Sequence, residues 1–163
     1  MLSEPWKTPN WHVSPLNFDS QASGARLAPP ILHDVTLRDG EESAGLVFSV
    51  EDKLALAKAL DAAGLPRIEL LLTTPGAEEA THQILDMGLK ADIYGAGGFI
   101  KPSNMEIAVR CKVRNITLGI RTSELQIKTF MDKPREQVLQ QCLNAIETAK
   151  SHDMRVNLSL IHI

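Results

Sequence analysis

The sequence predicts an α/β fold built on a parallel sheet. Short β-branched or Leu-rich runs alternate with longer segments of helical period, and Gly or Pro punctuates nearly every junction. Composition agrees. Hydrophobic residues make up 44% of the 163 but aromatics only 4%, with Trp6, Trp11 and Phe18 all before residue 20. The body is therefore filled with Leu, Ile, Val and Ala, as helices and buried parallel strands are.

Residues 1–30 carry Pro5, Pro9, Pro15, Pro29 and Pro30 among Asn, Ser and Gly, and show no period of 2 or 3.6. They read as an irregular extension, with Trp6, Trp11 and Phe18 as anchors onto the body or a partner subunit. Residues 31–163 form the folded part. Ile31 to Leu37 is a β-branched run ending at Arg-Asp-Gly, a first strand and its loop. Ser49 and Asp52 have capping-box spacing for a helix running to Ala63, where Gly64 supplies the left-handed stop. Arg67 to Leu72 (RIELLL) is a second strand, apolar enough to be buried on both faces. Pro75-Gly76 leads into a helix over 77–87, closed by Gly88.

A third strand starts at Asp92 to Tyr94 and runs into Gly95-Ala96-Gly97-Gly98. That glycine cluster lacks G-x-G-x-x-G and a following Lys-Ser/Thr, so close packing at a strand end is favoured over a phosphate cradle. Ser103 is the expected cap of a helix over 104–111. Asn115 to Ile120 (NITLGI) is a fourth strand, with Arg121 to Glu124 as its loop. Pro134 is placed in the first turn of a helix whose stripe is Val138, Leu139, Cys142, Leu143, Ile146 and Ala149. Arg155 to Leu160 is a fifth strand. Five strands alternating with four helices give right-handed parallel crossovers. An open doubly wound sheet and part of a (β/α)8 barrel both satisfy this pattern. In either, chemistry belongs in the loops after the carboxyl ends of the strands.

A net charge of -3 with scattered Lys and Arg argues against a nucleic-acid partner. No stretch approaches the ~20 apolar residues of a membrane span. The first residues lack the basic head and apolar core of a secretory leader. Cys111 and Cys142 read as reduced, partly buried thiols, which fits a cytoplasmic setting.

The informative loop is His33-Asp34-Val35-Thr36-Leu37-Arg38-Asp39-Gly40-Glu41-Glu42. A strand end delivers an Arg and several carboxylates where Gly40 lets the backbone turn. A carboxylate there can hold a hard divalent cation, and an adjacent Arg can bind a carboxylate or a developing oxyanion. The alternative is an Arg38–Asp39 pair that only braces the loop or caps the next helix.

Asp-x-Thr-Leu-Arg-Asp-Gly-Glu at the end of a first strand resembles the signature of the isopropylmalate, citramalate and homocitrate synthase family. Its wider relatives are hydroxymethylglutaryl-CoA lyase, the carboxyltransferase domain of pyruvate carboxylase and 4-hydroxy-2-oxovalerate aldolase. Phe48 to Lys53 is similar to the family's "FS-x-E-x-K", Leu60 to Gly64 to its "LD-x-x-G", and Ile68-Glu69 to its second-strand "IE". Cys111 to Val113 before NITLGI, Thr122-Ser123-Glu124, and Ala149 to His152 before Met154 to Val156 resemble further family segments. The likeness spans residues 31 to about 159.

The resemblance implies a partial TIM (β/α)8 barrel, about the first five strands and four helices. It implies an acyltransferase that condenses acetyl-CoA, as co-substrate, with a 2-oxo acid in a Claisen-type reaction dependent on a divalent metal (Mg, Mn or Zn). By position, Asp39 becomes a metal ligand and Arg38 the group stabilising the enolate or alkoxide. Glu69 lines the floor of the site, and Glu42 and Ser123 contact substrate. A metal-dependent aldolase or lyase of the same superfamily, or a non-catalytic half-barrel binding protein, are the alternatives. The full-length protein is expected to be a cytoplasmic homodimer.

Two departures bear on substrate. Glu42 stands where the family usually has Gln, and the second strand runs through Leu72-Thr73-Thr74 before Pro75 rather than into an early Gly. The family also completes its metal site with His-x-His, whereas His12, His33, His82, His152 and His162 contain no such pair. His33 is expected to be packed or satisfied, and His82 and His152 to face solvent. Residues Leu158 to Ile163 are what CTG TCT CTT ATA CAC ATC encodes, which resembles a transposase adapter. On that reading the chain is an N-terminal fragment, inactive alone, with open edges at its first and fifth strands.

Overall fold

Four strands lie side by side in chain order and pair in parallel throughout: β1 (Arg67–Leu71), β2 (Asp92–Ala96), β3 (Asn115–Arg121) and β4 (Arg155–Ile161). The structure, a computed structural model, describes residues 29–98 and 100–161. The expectations for residues 1–28, Trp6, Trp11 and Phe18 among them, and for His162 and Ile163 lie outside the described residues. Helix α1 (Val50–Ala62) precedes β1, α2 (Ala77–Asp86) joins β1 to β2, and α3 (Pro102–Arg110) joins β2 to β3. Between β3 and β4 come the short α4 (Glu124–Gln126), a π-helical turn (Ile127–Met131) and α5 (Arg135–Ser151).

Local chemistry sets the element ends. The Ser49 hydroxyl accepts from the Asp52 N–H, and the Asp52 carboxylate accepts from the Ser49 N–H, so the capping box forms as read. These bonds hold the Asp52 carboxyl below the usual carboxylate range, the Ser49 side chain first and its backbone second. Gly64 and Gly88 close their helices at φ +82° and +63°.

Parallel partners share a face of the sheet, so the pairings Glu69–Tyr94 and Thr117–Asn157 define one side. The other side carries Ile68, Leu70, Ile116 and Leu118, at most 4% exposed, packed on Ala57, Ile84, Ala108 and Ala149 of the helices. Burial of each such large side chain stabilises the fold by about 1.5–3 kcal/mol. Gly95 belongs to this packed side. A Cβ there would sit 2.6 Å from Leu72 Cδ1 and 3.2 Å from Val113 Cγ2, so glycine leaves room for these two side chains to pack against the strand.

Several expectations need correction. The first strand is reduced to one parallel bridge, Asp34 to Ile68, so the sheet has four strands and a bridge rather than five strands. Thr36–Gly40 forms a π turn instead of continuing that strand. The Asp34 carboxylate accepts from the Thr36 N–H and hydroxyl (2.9 and 3.1 Å), and the N–H groups of Arg38, Asp39 and Gly40 converge on the Val35 carbonyl. Local bonds of this kind outcompete a ladder that has a partner on one side only.

The start of α3 is set by Pro102 after Lys101, not by Ser103. Pro134 stands at the N-cap of α5 rather than inside its first turn. In that helix Leu139 and Leu143 are 57% and 43% exposed; the buried positions are Val138, Cys142, Ala145 and Ala149. Leu158 and Leu160 on the edge strand β4 are likewise exposed. His82 is half-buried and bonded to the Arg110 carbonyl at 3.0 Å, whereas His152 faces solvent as expected.

Cys111 and Cys142 are buried free thiols. Burial first, and then the Glu78 charge, push the Cys111 thiol up to about 11, against a smaller opposing effect of Arg110.

Candidate active site

The carboxyl ends of β1, β2 and β3 open onto a cleft of about 920 Å³ lined by Arg38, Glu42, Glu69, Thr117 and Arg121 among others. Its centre is Glu69, an inward-facing carboxylate at 3% exposure, flanked in its strand by Ile68 and Leu70. A buried carboxylate is tolerated only when donors surround it. Three do. Arg38 Nε donates to Oε1 at 2.8 Å, Thr117 Oγ1 donates to Oε2 at 2.6 Å, and His33 Nε2 lies 2.9 Å from Oε2.

Each donor comes from a different part of the fold. Arg38 sits in the π turn, from which its side chain reaches back over β1. Thr117 lies on β3, and its hydroxyl also accepts from Asn157 Nδ2 on β4 at 3.4 Å. The His33 ring packs on Tyr94, centroids 4.9 Å apart, and Arg67 covers the same Tyr94 ring. With the carboxylate ionised, His33 carries its proton on Nε2. Saturated by three donors, Glu69 acts as a fixed anion that orients Arg38.

The second anchor of Arg38 is Asp39, with Nη1 to Oδ1 at 2.6 Å. Nη2 has no protein partner among the described residues. The guanidinium is therefore held in one orientation while keeping donors for an anion. Around the cleft stand Arg38, Lys101, Arg121 and Lys133 against Glu42 and Glu69, a balance that favours anionic ligands. Arg121 is fixed by Gln126 Oε1 at 2.8 Å and by the face of Phe130.

The structure brings together Arg38, Glu69 and Glu42, with Asp39 beside Arg38. Ser123 stands apart as the N-cap of α4, its hydroxyl accepting from the Gln126 N–H at 3.2 Å. Asp39 is 63% exposed, and no group of three or more His, Cys, Asp or Glu able to hold a metal occurs among the described residues. The described residues thus do not supply a complete ligand set for a divalent ion. Thr117, Arg121, Lys101 and Lys133 escaped the sequence reading. Thr117 carried a signal, a polar residue at the inward period of the apolar NITLGI run. His33 is satisfied as expected, but by Glu69 within the site.

Comparison with known proteins fits this geometry. The sequence model of the HMGL-like family matches residues 29–162. A homocitrate synthase AksA of Methanopyrus kandleri is 35% identical over 131 residues, covering 79% of this chain and 33% of the relative. An (R)-citramalate synthase CimA of Methanocaldococcus jannaschii is 36% identical over 132 residues, covering 78% and 26%. The chain thus spans about a quarter to a third of the length of these curated relatives. The crystal structure of hydroxymethylglutaryl-CoA lyase from Pseudomonas aeruginosa superposes with a TM-score of 0.63 at 21% identity, over 76% of this chain and 43% of that one. That likeness bears on the fold, a partial (β/α)8 barrel.

Proposed function

This chain belongs to the HMGL-like family, and on that footing we propose that it carries part of the active site of an acyltransferase joining acetyl-CoA to a 2-oxo acid. The observation that supports this best is Arg38, fixed by Glu69 at the mouth of a cleft rich in cations. In the condensation the acetyl methyl carbon loses a proton and attacks the ketone carbon. A C–C bond forms, the ketone oxygen becomes an alkoxide and then a hydroxyl, and water cleaves the thioester to release CoA. Arg38 is preorganised for the charge that grows on that oxygen, because Glu69 has already set its orientation. Glu69 forms the floor and Glu42 is the proposed substrate contact, while Ser123, expected to touch substrate, stands outside the cleft as a helix cap.

The family's divalent metal would find one ligand here, Asp39. The described residues do not complete that site. A homodimeric cytoplasmic enzyme is part of the same proposal. Among the described residues no helix is long and apolar enough to cross a membrane.

The test is release of free CoA from acetyl-CoA by the whole protein with pyruvate, 2-oxoisovalerate or 2-oxoglutarate. One 2-oxo acid should accelerate release, and Arg38→Ala should lower the rate about 100-fold or more. Release indifferent to every 2-oxo acid would sink the reading. Cleavage of a hydroxymethylglutaryl thioester instead would assign the site to the lyase branch.

A further inference from the structure

The Arg38 loop bonds mainly to itself. The N–H groups of Arg38, Asp39 and Gly40 go to the Val35 carbonyl, that of Glu42 to Arg38, and that of Ser43 to Gly40. A loop closed on itself still needs an external tether to hold Arg38 over β1. Leu37 anchors the loop in the core, and one polar tether is Glu69, inside the cleft. Another lies behind it. Glu41, whose N–H caps the π turn on the Arg38 carbonyl, turns its carboxylate away from solvent and meets Lys53 Nζ at 2.8 Å. Both side chains are 5% exposed. The same ammonium donates to Thr74 Oγ1 at 3.0 Å. Thr74 follows Thr73, which lines the cleft from the loop after β1.

We propose that Lys53 is a positioning residue: its buried ammonium clamps the Arg38–Asp39 loop to the Thr73–Thr74 loop and so fixes two walls of the cleft. Stability alone accounts poorly for the pair. Lysine is rarely buried in full, and desolvating two charges offsets most of their attraction. Here the offset is larger still, since Glu41 Oε2 is buried with no partner among the described residues. What the pair does supply is geometry, because one nitrogen from the second turn of α1 reaches two separate loops. Lys53 does not line the cleft and acts only through the loops it holds.

The proposal rests on the functional reading above only for its kinetic readout, so two measurements are paired. The first is amide hydrogen exchange in the full chain. Lys53→Met should speed exchange across residues 36–43 and 73–76 at least tenfold, with β1 and β3 amides unchanged. If that variant folds poorly, Glu41→Gln combined with Lys53→Met removes both charges at similar volume and should melt close to the parent while keeping the fast loop exchange. The second measurement is steady-state kinetics of the whole enzyme, where the double variant should raise KM for the 2-oxo acid about tenfold. A purely structural pair would lower kcat with the folded fraction and leave KM alone. Loop exchange unchanged in both variants, or a KM unchanged in an active enzyme, overturns the clamp. Fast loop exchange in a protein without synthase activity supports the clamp and removes the functional reading instead.

Discussion

The two faces of the sheet differ in what their side chains are for. The helix-facing side holds Ile68, Leu70, Ile116 and Leu118 against small residues of α1, α3 and α5, and its stabilisation is non-directional burial. The inward side holds Glu69, Tyr94, Thr117 and Asn157 with His33, and its order is a chain of directed hydrogen bonds. A barrel interior is commonly filled with branched apolar side chains. Here the layer formed by the third residue of each strand is polar. The difference teaches that one period-2 pattern builds the fold with one register and the site with the other.

Substitutions separate the two faces. The largest expected loss of stability is on the packed side, where Ile116→Ala should cost about 2–5 kcal/mol by chemical denaturation. Any chain that remains folded should keep its cleft. On the inward side, Glu69→Gln takes the charge from the Arg38 bond and should cost about 1–3 kcal/mol. Its functional loss should be far greater than its loss of stability. If Ile116→Ala and Glu69→Gln impaired ligand binding equally, the division of labour would be wrong.

Gly95→Ala sharpens the comparison from the backbone. The added methyl meets Leu72 and Val113 in the packed layer, not the cleft, so a cost of about 1–3 kcal/mol is expected in the melt, with the Arg38 environment intact. The smallest effect belongs to neither face. Ser49→Ala should cost about 1 kcal/mol at neutral pH. The folded-state pKa of Asp52 is depressed from its ordinary 3.8, so its contribution is present above that value and fades as pH falls through the folded pKa. Denaturation of parent and variant at pH 7 and pH 2.5 checks the sign: the gap should narrow in acid.

Much of the packed face was legible because its signals are local. Ser49 with Asp52, Gly64, Gly88 and the RIELLL and NITLGI runs announce caps and strands within a few residues. The site was legible in part, through the Arg38-Asp39-Gly40 loop and its resemblance to a known signature. The bonds that make it a site are not local: His33 reaches Glu69 across 36 residues and Thr117 reaches it across 48. No spacing rule reports such pairs. Only the first two residues of the π turn, Thr36 and Leu37, read as strand, because the run through Val35 and Thr36 is β-branched. The Asp34 carboxylate, binding the Thr36 N–H and hydroxyl, overrode it. The burial of Lys53 has no local signal either, because Glu41 and Thr74 meet it from outside its helix.

The most direct test of the central claim is the ¹⁵N NMR signal of the Arg38 Nε–H group, followed while pyruvate or 2-oxoglutarate is added. A guanidinium fixed by Glu69 at an anion-binding cleft should give a resolved, slowly exchanging Nε–H that vanishes in Glu69→Gln and shifts with a 2-oxo acid. An Arg38 signal merged with those of the exposed arginines, and indifferent to both acids, would contradict the account.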